Sequence, residues 1–187
     1  LDLGSKPSIQ KILGKCIENR KIDVLVNNAG INKINSINNI NEDDWDSINE
    51  VNLKGPFLIT KFISKRMIKQ KFGKILNIAS IFSVVSKKKR ASYSSTKWGL
   101  VGLTKAVALD LAPYNILVNS LSPGFVKTEL TEKILGKSGM TKISNTIPLK
   151  RLANPSEIAK TALYLTSDLN TYITGQNIVI DGGYTSA

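Results

Sequence analysis

IDVLVNNAG, residues 22–30, is a short apolar run rich in β-branched residues that stops abruptly at two Asn, an Ala and a Gly. A strand with one face in water alternates apolar and polar residues. A continuous apolar run predicts a strand covered on both faces, as in a parallel sheet packed between helices. Two more runs of this kind follow, GKILNIAS at 73–80 and NILVNSLSPG at 115–124, and QNIVIDGG at 176–183 reads as a last strand. Between them lie helical patterns. NEDDWDSINEVNL opens with Asn41 as a cap and carries acids in its first turn. Residues 56–71 form a second helix. Residues 93–112 place Leu100, Leu103, Val107, Ala108 and Leu111 on one face. ANPSEIAKTALYLTS (153–167) has Asn154 at the cap, Pro155 in the first helical position and Glu157 at the third. Upstream, Ile9, Ile12, Leu13, Cys16 and Ile17 make a helical stripe. The alternation predicts an α/β fold: a mainly parallel sheet covered on both faces, one domain over 1–187. Residues 125–150 lack a clear period and are expected to be a loop with short helical pieces, long enough to act as a lid.

Composition excludes much chemistry. The 187 residues contain no His, which removes Ser-His-Asp and Cys-His mechanisms and histidine metal sites. The single Cys forbids an internal disulfide and a cysteine-rich zinc site, and fits a reducing compartment. Proton transfer is left to carboxylates, Lys, Tyr or a cofactor. No apolar run is long enough to span a membrane. The net charge is +12, yet Lys outnumbers Arg 22 to 4 and is spread along the chain. A solvated Lys-rich surface accounts for that without nucleic acid, for which no recognition helix, stacking pair or zinc pattern speaks.

In an open parallel sheet, ligands bind beyond the carboxyl ends of the strands. Asn27-Asn28-Ala29-Gly30, Ser80 and Ser122-Pro123-Gly124 stand at those ends. Tyr93 and Lys97 are four apart, on one face of their helix. With 5 Tyr and 22 Lys in the chain, roughly 0.6 such pairs arise by chance. The pair gains weight only from its surroundings.

Taken together, NNAG (27–30), VNLKG (51–55), NIAS (77–80), YSSTK (93–97), SPGFVKT (122–128) and DGG (181–183) resemble the short-chain dehydrogenase/reductase family over the whole chain. Ser80 lies 13 residues before Tyr93, the spacing usual in that family. The resemblance implies a Rossmann-type doubly wound sheet and a catalytic set of Asn52, Ser80, Tyr93 and Lys97. Tyr93 would be the general acid in reduction, its pKa lowered by the Lys97 ammonium. Ser80 would hydrogen-bond the substrate oxygen, Asn52 would hold a relay water, and Lys97 would hold ribose hydroxyls. Asp2, Leu3, Asn28, Ala29, Gly30, Tyr93, Lys97, Pro123, Gly124, Val126 and Thr128 would line a nicotinamide cofactor, NADP or NAD. Asn28 would also help tie neighbouring strands together. Trp45 and Trp98 read as packing residues.

The sequence carries no Gly-x-x-x-Gly-x-Gly loop, and by resemblance two strand–helix units before Leu1 are expected to be missing. An exposed sheet edge follows from that expectation. RLANPSEIA, YITGQNIVIDGG and VNNAGI read like 3-oxoacyl-carrier-protein reductases, and also like sugar and polyol dehydrogenases of the family. The resemblance thus implies an acyl-thioester or other small-molecule substrate in the cytoplasm, with no metal, membrane or nucleic acid. It also implies a homodimer or homotetramer packed through the two long helices and the last strand. Lys87-Lys88-Lys89-Arg90, just before Tyr93, suits an acidic carrier protein or an anionic substrate.

Overall fold

Four strands, β1 (Val24–Asn27), β2 (Gly73–Ile78), β3 (Ile116–Pro123) and β4 (Asn177–Ile180), pair in chain order into one parallel sheet. This computed structural model describes residues 3, 7–9, 11, 14 and 20–187, with the backbone alone at 130, 134 and 137. Helices α1 (Glu42–Asn49) and α2 (Gly55–Gln70) connect β1 to β2, and α3 (Ala91–Leu111) connects β2 to β3. Helices α4 (Glu129–Thr146) and α5 (Pro155–Thr166) lie between β3 and β4.

Side chains alternate along the strands, so each face of the sheet builds its own core. Ile75, Ile116 and Val118 meet Ile9, the Ile59, Ile63 and Met67 row of α2, and Ala108 and Leu111 of α3. On the opposite face Leu76 and Leu121 meet Leu165 of α5, flanked by Ile158, Ala162, Ile173, Ile178 and Ile180. Both faces are covered, as the apolar runs predict. The exception is β1, where Val24 and Val26 are 42% and 45% exposed. Their face lies beyond α5, which packs over β2 and β3. Among the described residues β1 is the sheet's edge, paired with β2 alone.

Local signals place the elements well. Asn41 caps α1, its side chain accepting from Asp43 N at 2.9 Å. Glu157 accepts from the Asn154 N–H at 2.8 Å at the start of α5. Three expectations are corrected. Residues 129–146 are helical throughout rather than a loop with short helical pieces, in two parts that meet at Gly136 (φ 61°, ψ 176°). A side chain is strained at such a φ, so only the glycine lets two weakly patterned helices join there. Leu103 lies on a surface groove with Leu53 and Phe57, while Thr104 takes the buried place beside it. Trp98 is 52% exposed on α3 and Trp45 38% exposed on α1, so neither is a core residue. Of the stripe over 8–20, Ile9 is in the core, and Ile12, Leu13, Cys16 and Ile17 lie outside the described residues.

Candidate active site

β2 delivers Ser80. After Ile78 the Ala79 N–H bonds Leu121 O of β3 at 2.7 Å, and the chain turns tightly over Ile81–Ser83. Ser80 Oγ accepts from Phe82 N at 3.2 Å, and Ser80 O accepts from Ser83 Oγ at 2.6 Å. Ser83 is itself held by Ser122 Oγ at 2.9 Å, across from the end of β3. The hydroxyl therefore sits on a pinned turn and keeps its own proton to donate.

α3 delivers Tyr93 and Lys97 one above the other. Lys97 is buried. Its Nζ stands 5.6 Å from the centre of the Tyr93 ring and donates to Ile78 O at 2.8 Å. Burial lowers the Lys97 pKa to about 8. The Tyr93 phenol is pushed up by burial, with the Ser80 hydroxyl and the Arg90 charge acting in the opposite direction. The expected lowering of Tyr93 by Lys97 is thus reversed here. The ammonium faces the ring and a carbonyl, and desolvation of a phenolate outweighs the neighbours that favour it. Tyr93 is a proton-bearing acid at neutral pH, placed beside a second donor, Ser80.

Asn52 is fully buried in a π-helical turn, Glu50–Lys54, between α1 and α2. Such turns are rare and often mark functional positions. Its Oδ1 accepts from Ile31 N at 2.8 Å, and its Nδ2 donates to Ile31 O at 2.9 Å and Thr96 Oγ1 at 3.3 Å. The side chain is already engaged. It clamps the loop after β1 to the turn of α3 that carries Lys97, and Oδ1, with one bond accepted, keeps a second lone pair.

The expected cofactor residues gather at the same sheet end. Asn28, Ala29 and Gly30 form the exposed loop after β1. A Cβ on Gly30 would sit 3.4 Å from Asn52 Oδ1 and 3.5 Å from Lys97 Nζ, so a side chain there would fill the space beside the ammonium. Ile78 takes one of the three Lys97 N–H groups, which leaves donors for ribose hydroxyls. Val126 bridges Ala153 through its neighbours, Ala153 N to Phe125 O at 2.9 Å and Lys127 N to Ala153 O at 2.8 Å. Its own backbone groups therefore face away, free for a carboxamide. These features fit the nicotinamide-ribose end of a dinucleotide.

Other positions serve the frame. Pro123 and Gly124 close β3 against β4, with Gly124 N on Ile180 O at 2.8 Å; a Cβ at Gly124 would come within 2.7 Å of Asp181 Cα. Thr128 caps α4, its Oγ1 accepting from Thr131 N at 3.2 Å. Leu3 packs beside Gly55 at the start of α2, and Asp2 lies outside the described residues. Asn28 does not tie the strands. Asn27 does so, donating to Asn77 Oδ1 at 2.8 Å and Thr60 Oγ1 at 3.2 Å. Asn77 continues to Thr104 Oγ1 at 2.9 Å. Side chains alternate across the sheet, and the one-residue difference puts Asn28 on the solvent side.

Sequence reasoning also missed an aromatic row over the site. Phe82 meets Tyr93 and Phe125 edge-on, ring centres 6.2 and 6.5 Å apart, and Phe125 meets Tyr184 at 5.3 Å. These residues come from four separate segments, so no local spacing announces them. Among the described residues no cluster of acids and thiols could hold a metal ion, and no helix is long and apolar enough to cross a membrane.

Residues 1–185 match the family model described as enoyl-(acyl carrier protein) reductase. The chain is 41% identical over 184 residues to 3-oxoacyl-(acyl-carrier-protein) reductase FabG of Thermotoga maritima, covering 98% of this chain and 74% of that protein. It is 39% identical over 186 residues to an NAD-dependent glycerol dehydrogenase of Listeria innocua, covering 99% and 73%. A crystal structure of gluconate 5-dehydrogenase from Burkholderia cenocepacia J2315, in complex with NADP and tartrate, superposes with a TM-score of 0.94. It is 31% identical and covers 100% of this chain and 74% of that one. The chain belongs to the short-chain dehydrogenase/reductase family. Its fold and relatives make it a nicotinamide-dependent oxidoreductase working between ketones and secondary alcohols.

Proposed function

We propose that the chain reduces a 3-oxoacyl thioester, carried on an acyl carrier protein, to the 3-hydroxyacyl thioester. The observation that carries this reading is the meeting of the pinned Ser80 turn with the Tyr93–Lys97 pair at one strand end. Bound there, the reduced nicotinamide supplies a hydride to the carbonyl carbon. Tyr93 gives its hydroxyl proton to the carbonyl oxygen, and its upward-shifted pKa keeps that proton available at neutral pH. Ser80 donates a hydrogen bond to the same oxygen as negative charge develops. Lys97 holds the ribose hydroxyls with the N–H groups that Ile78 leaves free. Asn52 keeps the loop at 28–30 and the Lys97 turn in register. Asn28, Ala29, Gly30, Pro123, Gly124, Val126 and Thr128 border the dinucleotide, with Leu3 towards its adenine end.

The exposed Lys87, Lys88 and Lys89 face an acidic carrier. The protein works in the cytoplasm, as a dimer or tetramer of identical chains. The relatives named for glycerol and gluconate support a second reading, a polyol or sugar-acid dehydrogenase.

Turnover decides between them. NADPH and NADH oxidation is followed with carrier-bound and free acetoacetyl thioester, and the reverse reaction with glycerol and gluconate. The first reading expects thioester reduction that is lost in Tyr93→Phe, and a higher KM for the carrier-bound form alone in a Lys88→Glu, Lys89→Glu double variant. Turnover of polyols with none of the thioester would overturn it.

A further inference from the structure

Arg90, three residues before Tyr93 at the start of α3, is a cation with two guanidinium nitrogens that lack a partner. Its Nε and Nη1 are buried and have no hydrogen-bond partner. No carboxylate among the described residues forms an ion pair with it. The guanidinium instead lies over the face of Phe82, 5.7 Å from the ring centre. Phe82 is two residues beyond Ser80 and meets the Tyr93 ring edge-on at 6.2 Å. Arg90 and its platform thus belong to the two segments that carry the acid and the oxygen-binding serine. The Arg90 charge is close enough to act on the Tyr93 phenol.

Arginine side chains at a surface normally keep their donors in water or pair them. Burying three N–H groups of a cation without acceptors is costly. The arrangement makes sense when the acceptor arrives with a ligand. The cation–π contact with Phe82 anchors the guanidinium without using any donor, so its donors are kept for an oxygen group. The neighbouring exposed lysines add a field that favours a negatively charged or strongly dipolar ligand.

We propose that Arg90 is a specificity residue: it binds the second oxygen function of the substrate, the carbonyl or carboxylate oxygen borne near the carbon being reduced. This deepens the reading of the function above and rests on it for the position of the reacting carbon. The oxygen has two sources, the carbonyl of a 3-oxoacyl thioester or the carboxylate of a free oxo acid. A simple ketone has neither.

The experiment uses the purified protein and its Arg90→Met and Arg90→Lys variants, with melting curves to confirm the fold. Three ketones are compared: the N-acetylcysteamine thioester of acetoacetate, free acetoacetate and 2-butanone. Arg90→Met is expected to raise KM about tenfold for one or both oxygen-bearing substrates, with kcat within about threefold and 2-butanone unaffected. Which of the two responds names the source. Arg90→Lys keeps the charge and is expected to recover acetoacetate better than the thioester. An equal effect on all three ketones, or none, overturns the proposal. A wild-type protein that turns over none of them counts against the proposed function alone. Arg90 is then judged by calorimetric binding of acetoacetate: binding lost in Arg90→Met sustains the proposal, and no difference between the two proteins overturns it.

Discussion

Lys97 holds its charge at a cost. Its folded pKa is about 8, against an ordinary 10.5, because burial penalises the ammonium. A lowered base is destabilising while it must stay protonated. That cost is present in full below pH 8 and disappears as the pH rises through 10.5. Relative to Lys97→Met, the wild type is therefore expected to gain stability between pH 8 and pH 10.5, on the order of 2–3 kcal/mol. Urea titrations of both proteins at the two pH values check it; parallel curves would mean that the ammonium is solvated. Activity runs the other way. Tyr93 stays protonated because its pKa is raised, so the first group to lose a proton is Lys97, and reduction is expected to fall as the pH passes about 8. Tyr93, Lys97, Ser80 and Asn52 were all legible as residue types at fixed spacings. The direction of the Tyr93 shift was not, because spacing places Lys97 beside the tyrosine without saying whether Nζ faces its oxygen or its ring. The aromatic row was also hidden, since its contacts join four separate segments, and Arg90 was legible only as part of the basic run at 87–90, not as a cation lying over Phe82.

Elements meet at points where the sequence leaves no room. Gly124 closes β3 against Asp181 at the end of β4, and Asp181 accepts from Gly183 N at 2.9 Å and Thr185 N at 2.7 Å. The SPG and DGG motifs are thus two halves of one junction. Gly124→Ala would press a methyl group into backbone and is expected to cost roughly 1–3 kcal/mol in a urea titration. It is also expected to raise the KM for cofactor, because Val126 lies two residues on. Unchanged stability would show that the strand ends can part without penalty. Strand and helix positions were readable because caps and apolar runs are local. Helix α4 was not, because its apolar residues follow no single stripe and Gly136 splits it. The covered reading of β1 failed for a different reason: an apolar strand records what its environment should be, and among the described residues nothing covers Val24 and Val26.

For the molecule as a whole, several large apolar side chains stand exposed. Phe57 on α2 and Trp98 and Leu109 on α3 are exposed on the two long helices, the last to 78%. Leu163 and Tyr164 on α5, and Leu169 and Tyr172 in the segment after it, are exposed as well, the last to 95%. Large apolar side chains exposed on the long helices and after α5 suit burial against another copy of the chain, so self-association is expected. Sedimentation should find a dimer or tetramer, and Trp98→Lys with Leu109→Glu should lower the order of assembly while the melting transition survives; a monomeric wild type would refute this. The aromatic row has a consequence of its own. Tyr184 leans on Phe125, Phe125 on Phe82, and Phe82 on Tyr93. Tyr184 is thereby the far end of a wall of the reaction chamber, and a change in its ring would reach the phenol that gives up the proton through three edge-on contacts.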